Sequence, residues 1–111
     1  MRRWVDLPPA EVARLADLIA GTVTACPAVA GLADAPGGQV ATYLPGRVVP
    51  GVAVRLGEIE VCVTARLGLP LPEVAAQVRQ AVMPLVPGWV IDVVIGAIAM
   101  PGPGQERADG P

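Results

Sequence analysis

Histidine, lysine, serine, asparagine and phenylalanine are all missing from the 111 residues. Without His or Ser there is no Ser-His-Asp triad, and a cysteine nucleophile would have no imidazole to activate it. The two cysteines, Cys26 and Cys62, are too few and too far apart for a disulfide framework or a clustered zinc or iron site. Both are expected to be reduced, with Cys62 acting as a small hydrophobe on a strand. No apolar run approaches the roughly 18–20 residues that span a bilayer, so no direct membrane insertion is expected. Arg2-Arg3 could begin an export signal, but Asp6, Pro8-Pro9, Glu11, Arg14 and Asp17 break the apolar stretch it would need. A cytoplasmic location follows as the expectation. The net charge of −2, with every basic residue an Arg and none clustered beyond Arg2-Arg3, argues against nucleic acid and against an electrostatic hold on anionic lipid. Glycines 37, 38, 46, 51 and 57 read as turns, so no phosphate-cradling loop is present.

Hydrophobic residues are plentiful, at 53%, and a chain of this length can bury about 60–65% of its unfolded surface. Residues 8–26 read as a helix, with Val12, Leu15, Ile19, Thr22 or Val23, and Cys26 on one side and Glu11, Arg14 and Asp17 on the other. Pro8-Pro9 suits a first turn, and Pro27 ends the helix. Residues 28–38 read as a loop. Strands are predicted at 39–44, 52–56 and 59–67, the first two joined by the Pro/Gly-rich connection 45–51. Gly57-Glu58 reads as a two-residue hairpin loop, which sets Leu56 opposite Ile59, Arg55 opposite Glu60 and Ala53 opposite Cys62. A second helix is predicted from Pro72 to about Met83, with Val74, Val78, Ala81, Val82 and Leu85 buried and Glu73, Gln77 and Gln80 in solvent. The nearly all-apolar stretch 89–99 reads as a last strand inside the sheet. The fold class is therefore α/β (α+β), of order α-β-β-β-α-β. Both helices pack on one face of a mixed sheet in a single domain over 1–100, and 101–111 form a disordered Pro/Gly-rich tail.

Alternation puts Val52, Val54, Leu56, Ile59, Val61, Val63, Ala65 and Leu67 on one face, which is core. The other face, which two helices on the opposite side leave open, carries Ala53, Cys62, Thr64, Val94 and Ile98 rimmed by Arg55, Glu60, Arg66 and Asp92. An apolar centre inside a charged rim is how protein interfaces are built, and this is the candidate partner surface. Arg47, in the connection between the first two strands, is a further candidate for an acidic partner group, although a solvated loop charge is the ordinary reading. Asp92 is the one acid that burial in an apolar strand could perturb; on the open face it would simply be solvated. Trp4 and Trp89 read as packing anchors. No catalytic, cofactor-binding or metal-binding residue is assigned, and no cofactor is expected.

Four blocks, CPAVAGL at 26–32, ATYLPGRVVPGVAV at 41–54, IEVCVTARLGLPLPEVAAQVRQAV at 59–82 and VIDVVIGAI at 90–98, occur in an order and spacing that resembles the alkaline shock (envelope stress response) protein family of Gram-positive bacteria. The resemblance spans residues 9–98. It implies a small cytoplasmic, non-catalytic α/β protein that self-associates and reaches the membrane periphery through an anchored protein partner. The family often has Asn and His on the last strand where Asp92 and Val94 stand here, which leaves the particular partner open. Two other classes compete with this stress-linked scaffold or adaptor. One is an iron–sulfur or metal-handling accessory protein using Cys62, and the other a small enzyme using Asp92. The first needs an exposed, low-pKa thiol, and the second a pocket around the carboxylate.

Overall fold

The computed structural model describes residues 8–35, 40–55 and 57–100. Trp4, Leu56 and the 101–111 tail lie outside them. Helix α1, Pro9–Thr24, opens where the paired prolines predict. The Pro8 carbonyl accepts the Glu11 and Val12 N–H groups at 2.9 and 3.0 Å. Glu11 in the first turn suits the positive end of the helix dipole. Its fully buried residues are Ala16, Ile19 and Val23. The predicted stripe is therefore right in direction, but its centre includes Ala16, while Val12 and Leu15 are only half-buried. Helix α2, Leu71–Val82, buries Val74, Val78 and Val82 as expected. A short 3₁₀ turn over Met83–Leu85 follows, because Pro84 cannot supply the next helical N–H.

Two segments read as connections are strands. β1, Val29–Leu32, lies inside the expected loop, and β3, Arg47–Pro50, inside the expected Pro/Gly linker. With β2 (Ala41–Leu44), β4 (Val52–Arg55), β5 (Glu58–Arg66) and β6 (Val90–Ala99) the order becomes α-β-β-β-β-β-α-β, still an α+β fold. β5 is the hub of the four-stranded sheet. It pairs in parallel with β6 from Glu58 to Arg66, the crossover being α2. On its other edge β4 pairs antiparallel with Glu58–Val61 and β1 with Val63–Ala65, end to end. Gly51 sits at that junction. The Cys62 N–H donates to the Gly51 carbonyl at 2.8 Å, and the Ala33 N–H donates to the Cys62 carbonyl at 2.9 Å.

The β4–β5 hairpin pairs Arg55 with Glu58, Val54 with Ile59, Ala53 with Glu60 and Val52 with Val61. Glu58 is thus paired and opens β5, and the connection ends on Gly57 at φ +72°, so Gly57-Glu58 is not the loop. The predicted register is off by two. A shift of two leaves every side chain on its predicted face, so the core face survives the error: Val52, Ile59, Val61, Val63 and Ala65 are all buried beneath the helices. Leu67 lies beyond the end of β5 and is exposed.

β2 and β3 form a separate two-stranded sheet, not a continuation of the main one. It is tied to β4 by the Gly51 N–H, which donates to the Val40 carbonyl at 2.8 Å, and by a buried hydroxyl at the outer edge. Thr42 Oγ1–H donates to the Val52 carbonyl at 2.6 Å, and the same oxygen accepts the Val54 N–H at 3.3 Å. Gln77, expected in solvent, accepts the Ala28 N–H at 2.8 Å and so pins the turn after α1 onto α2.

β6 pairs only with β5. Its apolar sequence suggested an interior strand, yet among the described residues no strand lies against its outer edge. Apolarity here reflects the helices packed on one of its faces, where Ile91, Val93 and Ile95 join the core.

Candidate functional site

The face of the sheet away from the helices is half covered. Ala53 and Cys62 form a second small buried cluster with Ala35 and Val40, with Ala33 packed against it. The chain leaving β1 thus lies down over the middle of the face that two helices cannot reach. The sequence-based surface is corrected here: Ala53 and Cys62 are core residues, Cys62 being fully buried. Burial pushes the Cys62 thiol up from its ordinary pKa, and the nearby Glu60 and Asp34 carboxylates push it the same way. That is the opposite of what a reactive or metal-binding thiolate needs. Burial also raises the Cys26 thiol. Among the described residues no group of three or more Cys, Asp or Glu side chains could hold a metal ion.

Glycine at position 96 makes the cover possible. A Cβ there would stand 2.6 Å from Cys62 Sγ and 3.3 Å from Ala33 Cβ. Gly96 is also the bulge in β6, since Val63 pairs with Ile95 but Thr64 pairs with Ala97. The bulge exchanges faces for everything beyond it. Ile98 pairs with Ala65, a core-face residue, so it belongs to the helix side and not to the open face. A Gly inside a strand pattern was the available signal, because such a glycine often marks a bulge or a close approach.

What stays open on the second face is Arg55, Glu58, Glu60, Thr64, Arg66, Val90, Asp92, Val94 and Ala97. Val90 is 59% exposed and Val94 36%. The predicted Arg55–Glu60 pair is present, with Nη1 3.1 Å from Oε1. The register makes it a diagonal contact and not a directly opposed one. Glu60 stands beside Asp92 on the neighbouring strand, and Glu58 lies opposite Arg55. This end of the face carries three carboxylates against one guanidinium. At the other end Arg66 is exposed but already engaged, its Nε–H donating to the Pro27 carbonyl at 3.0 Å.

Arg47 is corrected as well. It lies on β3, not in a loop, and its two Nη groups grip the Asp17 carboxylate of α1 at 3.1 and 2.8 Å. The hydrogen bonds from Arg47 hold the Asp17 carboxyl below the usual carboxylate range. This side chain ties the β2–β3 hairpin to α1 and remains half exposed.

A groove of about 350 Å³, unanticipated in the sequence, lies between α1 and the segment leading into β6, lined by Leu15, Leu18, Leu85, Val86, Pro87 and Trp89. Trp89 packs against the core as the anchor predicted, and the Glu11–Arg14 pair marks the rim. No sequence-predicted site residue reaches this groove, and Asp92 stands exposed on the flat side of β6. No known protein family, curated protein or solved structure matches the chain.

Proposed function

We propose that the chain is a non-catalytic protein-binding module that works through the uncovered half of its second sheet face. The carrying observation is the row Val90, Asp92, Val94 on β6 beside Glu60, Thr64 and Arg55. Its exposed valines are bordered by charge, and the groove between α1 and the segment leading into β6 lies apart from these charged groups. Flat apolar surface with a charged border favours a macromolecular partner over a small molecule. The excess of carboxylates at the Glu58–Glu60–Asp92 end favours a partner that brings basic groups to that side. The stress-response setting, a cytoplasmic scaffold or adaptor reaching the membrane periphery through an anchored protein, rests on the resemblance of the four sequence blocks. Among the described residues no helix is long and apolar enough to cross a membrane.

Thr64 tests the reading because it is half-buried and lies at the far end of the row, past Val94 and opposite Ala97. Thr64→Arg puts a guanidinium where partner binding would have to desolvate it, at several kcal/mol if it goes unpaired. In-cell crosslinking with mass spectrometry should find a defined protein attached to the wild type and missing from the variant, at an unchanged melting temperature. An identical crosslinking pattern would remove this face from consideration.

A further inference from the structure

Among the described residues, no strand pairs with the outer edge of β6. The Val90 N–H donates to the Gly57 carbonyl at 3.0 Å, on the β5 side. Residues 90, 92 and 94 therefore turn their N–H and C=O groups toward β5, and 91, 93 and 95 turn theirs outward. From Val90 to Ile95 the strand runs in unbroken register with β5, and the bulge at Gly96 interrupts it only after that. The stretch reads Val-Ile-Asp-Val-Val-Ile, five β-branched apolar residues around a single charge, with no proline. On an open edge, that composition recruits foreign strands and starts aggregates.

Arg79 is the side chain that meets this edge. It is exposed on α2, and its Nε–H donates to the Ile91 carbonyl at 3.3 Å. That carbonyl is one of the outward ones, so the guanidinium lies where the backbone of an added strand would have to run. An incoming strand would have to displace this donor or bury its charge. A cation in the last turn of a helix also suits the negative end of the dipole, but that role needs no contact with β6. We propose that Arg79 guards the edge of β6 from Val90 to Ile95 against strand addition, and that the Gly96 bulge guards what lies beyond. One hydrogen bond of this type favours the guarded arrangement over the released one by roughly fivefold.

Arg79→Ala tests the assignment. It moves the net charge from −2 to −3, which by itself opposes association. Arg14→Ala makes the same change in charge on the exposed side of α1 and serves as the control. Association is followed by light scattering and sedimentation velocity on the full chain. Each variant is held equally far below its own melting temperature, so that lost stability cannot imitate a lost guard. Arg79→Ala should associate roughly fivefold faster than the wild type, and Arg14→Ala no faster. In the associated Arg79→Ala protein, amide exchange should slow at Ile91, Val93 and Ile95. An Arg79→Ala chain that associates no faster than the wild type overturns the proposal, and so does an equal gain with Arg14→Ala. Slowed exchange at other positions but not at these three would place the adhesive surface elsewhere and also overturn it. Protection of the three amides in dilute wild type would do the same, because another part of the chain would then cover the edge. The comparison does not involve Thr64, so this proposal and the reading of the open face fail separately.

Discussion

Replacing Gly51 with alanine tests the junction on which the sheet is assembled. Gly51 has φ +85°, where an L-residue is strained by roughly 1–2 kcal/mol. It also has no room. A Cβ would lie 2.9 Å from Leu32 Cβ and 3.2 Å from each of the Ala33 and Cys62 carbonyl oxygens. Two of those three neighbours are backbone groups, and the Cys62 carbonyl is the acceptor that ties Ala33 to β5. Relief therefore requires β1 or β4 to move off β5, and overpacking of this kind adds about 1–3 kcal/mol. The total expected for Gly51→Ala is about 2–5 kcal/mol. At about 4–8 °C per kcal/mol for a chain of this size, the melting temperature falls by at least about 8 °C. Gly46 supplies the control: its φ is +81°, but nothing lies within 4 Å of where its Cβ would stand. Gly46→Ala should show the conformational part alone, about 1–2 kcal/mol. Urea denaturation of both variants gives the difference directly. Equal losses would mean that crowding at the β1–β4 junction is not part of the stability, and the reasoning about how those strands share β5 would fail.

The Asp17–Arg47 pair gives a pH signature. The Asp17 pKa is lowered in the folded state, chiefly by hydrogen bonds from Arg47. Its contribution is therefore complete above the unfolded carboxyl pKa and lost as pH falls through the folded one. Wild type minus Asp17→Asn should differ in melting temperature at neutral pH, converge as pH falls below the usual carboxylate range, and shrink in high salt; a difference independent of both would refute the pairing. Gly96→Ala and Cys62→Ala should be strongly non-additive, since the Sγ that a Cβ at 96 would meet at 2.6 Å is the atom Cys62→Ala removes. The double variant is expected to be at least about 1 kcal/mol more stable than the sum of the single losses predicts. Strict additivity would show that the two residues do not touch.

The core face was legible because strand alternation survives a register error of two. Val52, Val61 and Val63 point to the helices whether the hairpin loop is 56–57 or 57–58. The helices were legible because prolines mark their starts and stops. β1 and β3 were not, because four-residue strands flanked by Pro27, Pro45, Pro50 and Gly51 carry turn chemistry at both ends. What makes them strands is long-range pairing, which local pattern does not encode. The same limit hid the acceptor for Arg47, which lies thirty positions away on α1. It also hid the cover over Cys62, whose small side chains at Ala33 and Ala35 gave no sign that they lie flat on a sheet. The apolarity of β6 was read correctly as burial, but burial on a face says nothing about hydrogen bonding at an edge.

One residue ties the two halves of the candidate surface together. By having no side chain, Gly96 lets Ala33 and Ala35 close over Cys62, which removes the centre of the second face from solvent. By being the bulge, it turns Ile98 to the helix side and ends the regular edge at Ile95. The exposed row Val90, Asp92, Val94 and the core-facing residues Ile91, Val93, Ile95 therefore alternate along one six-residue stretch of β6.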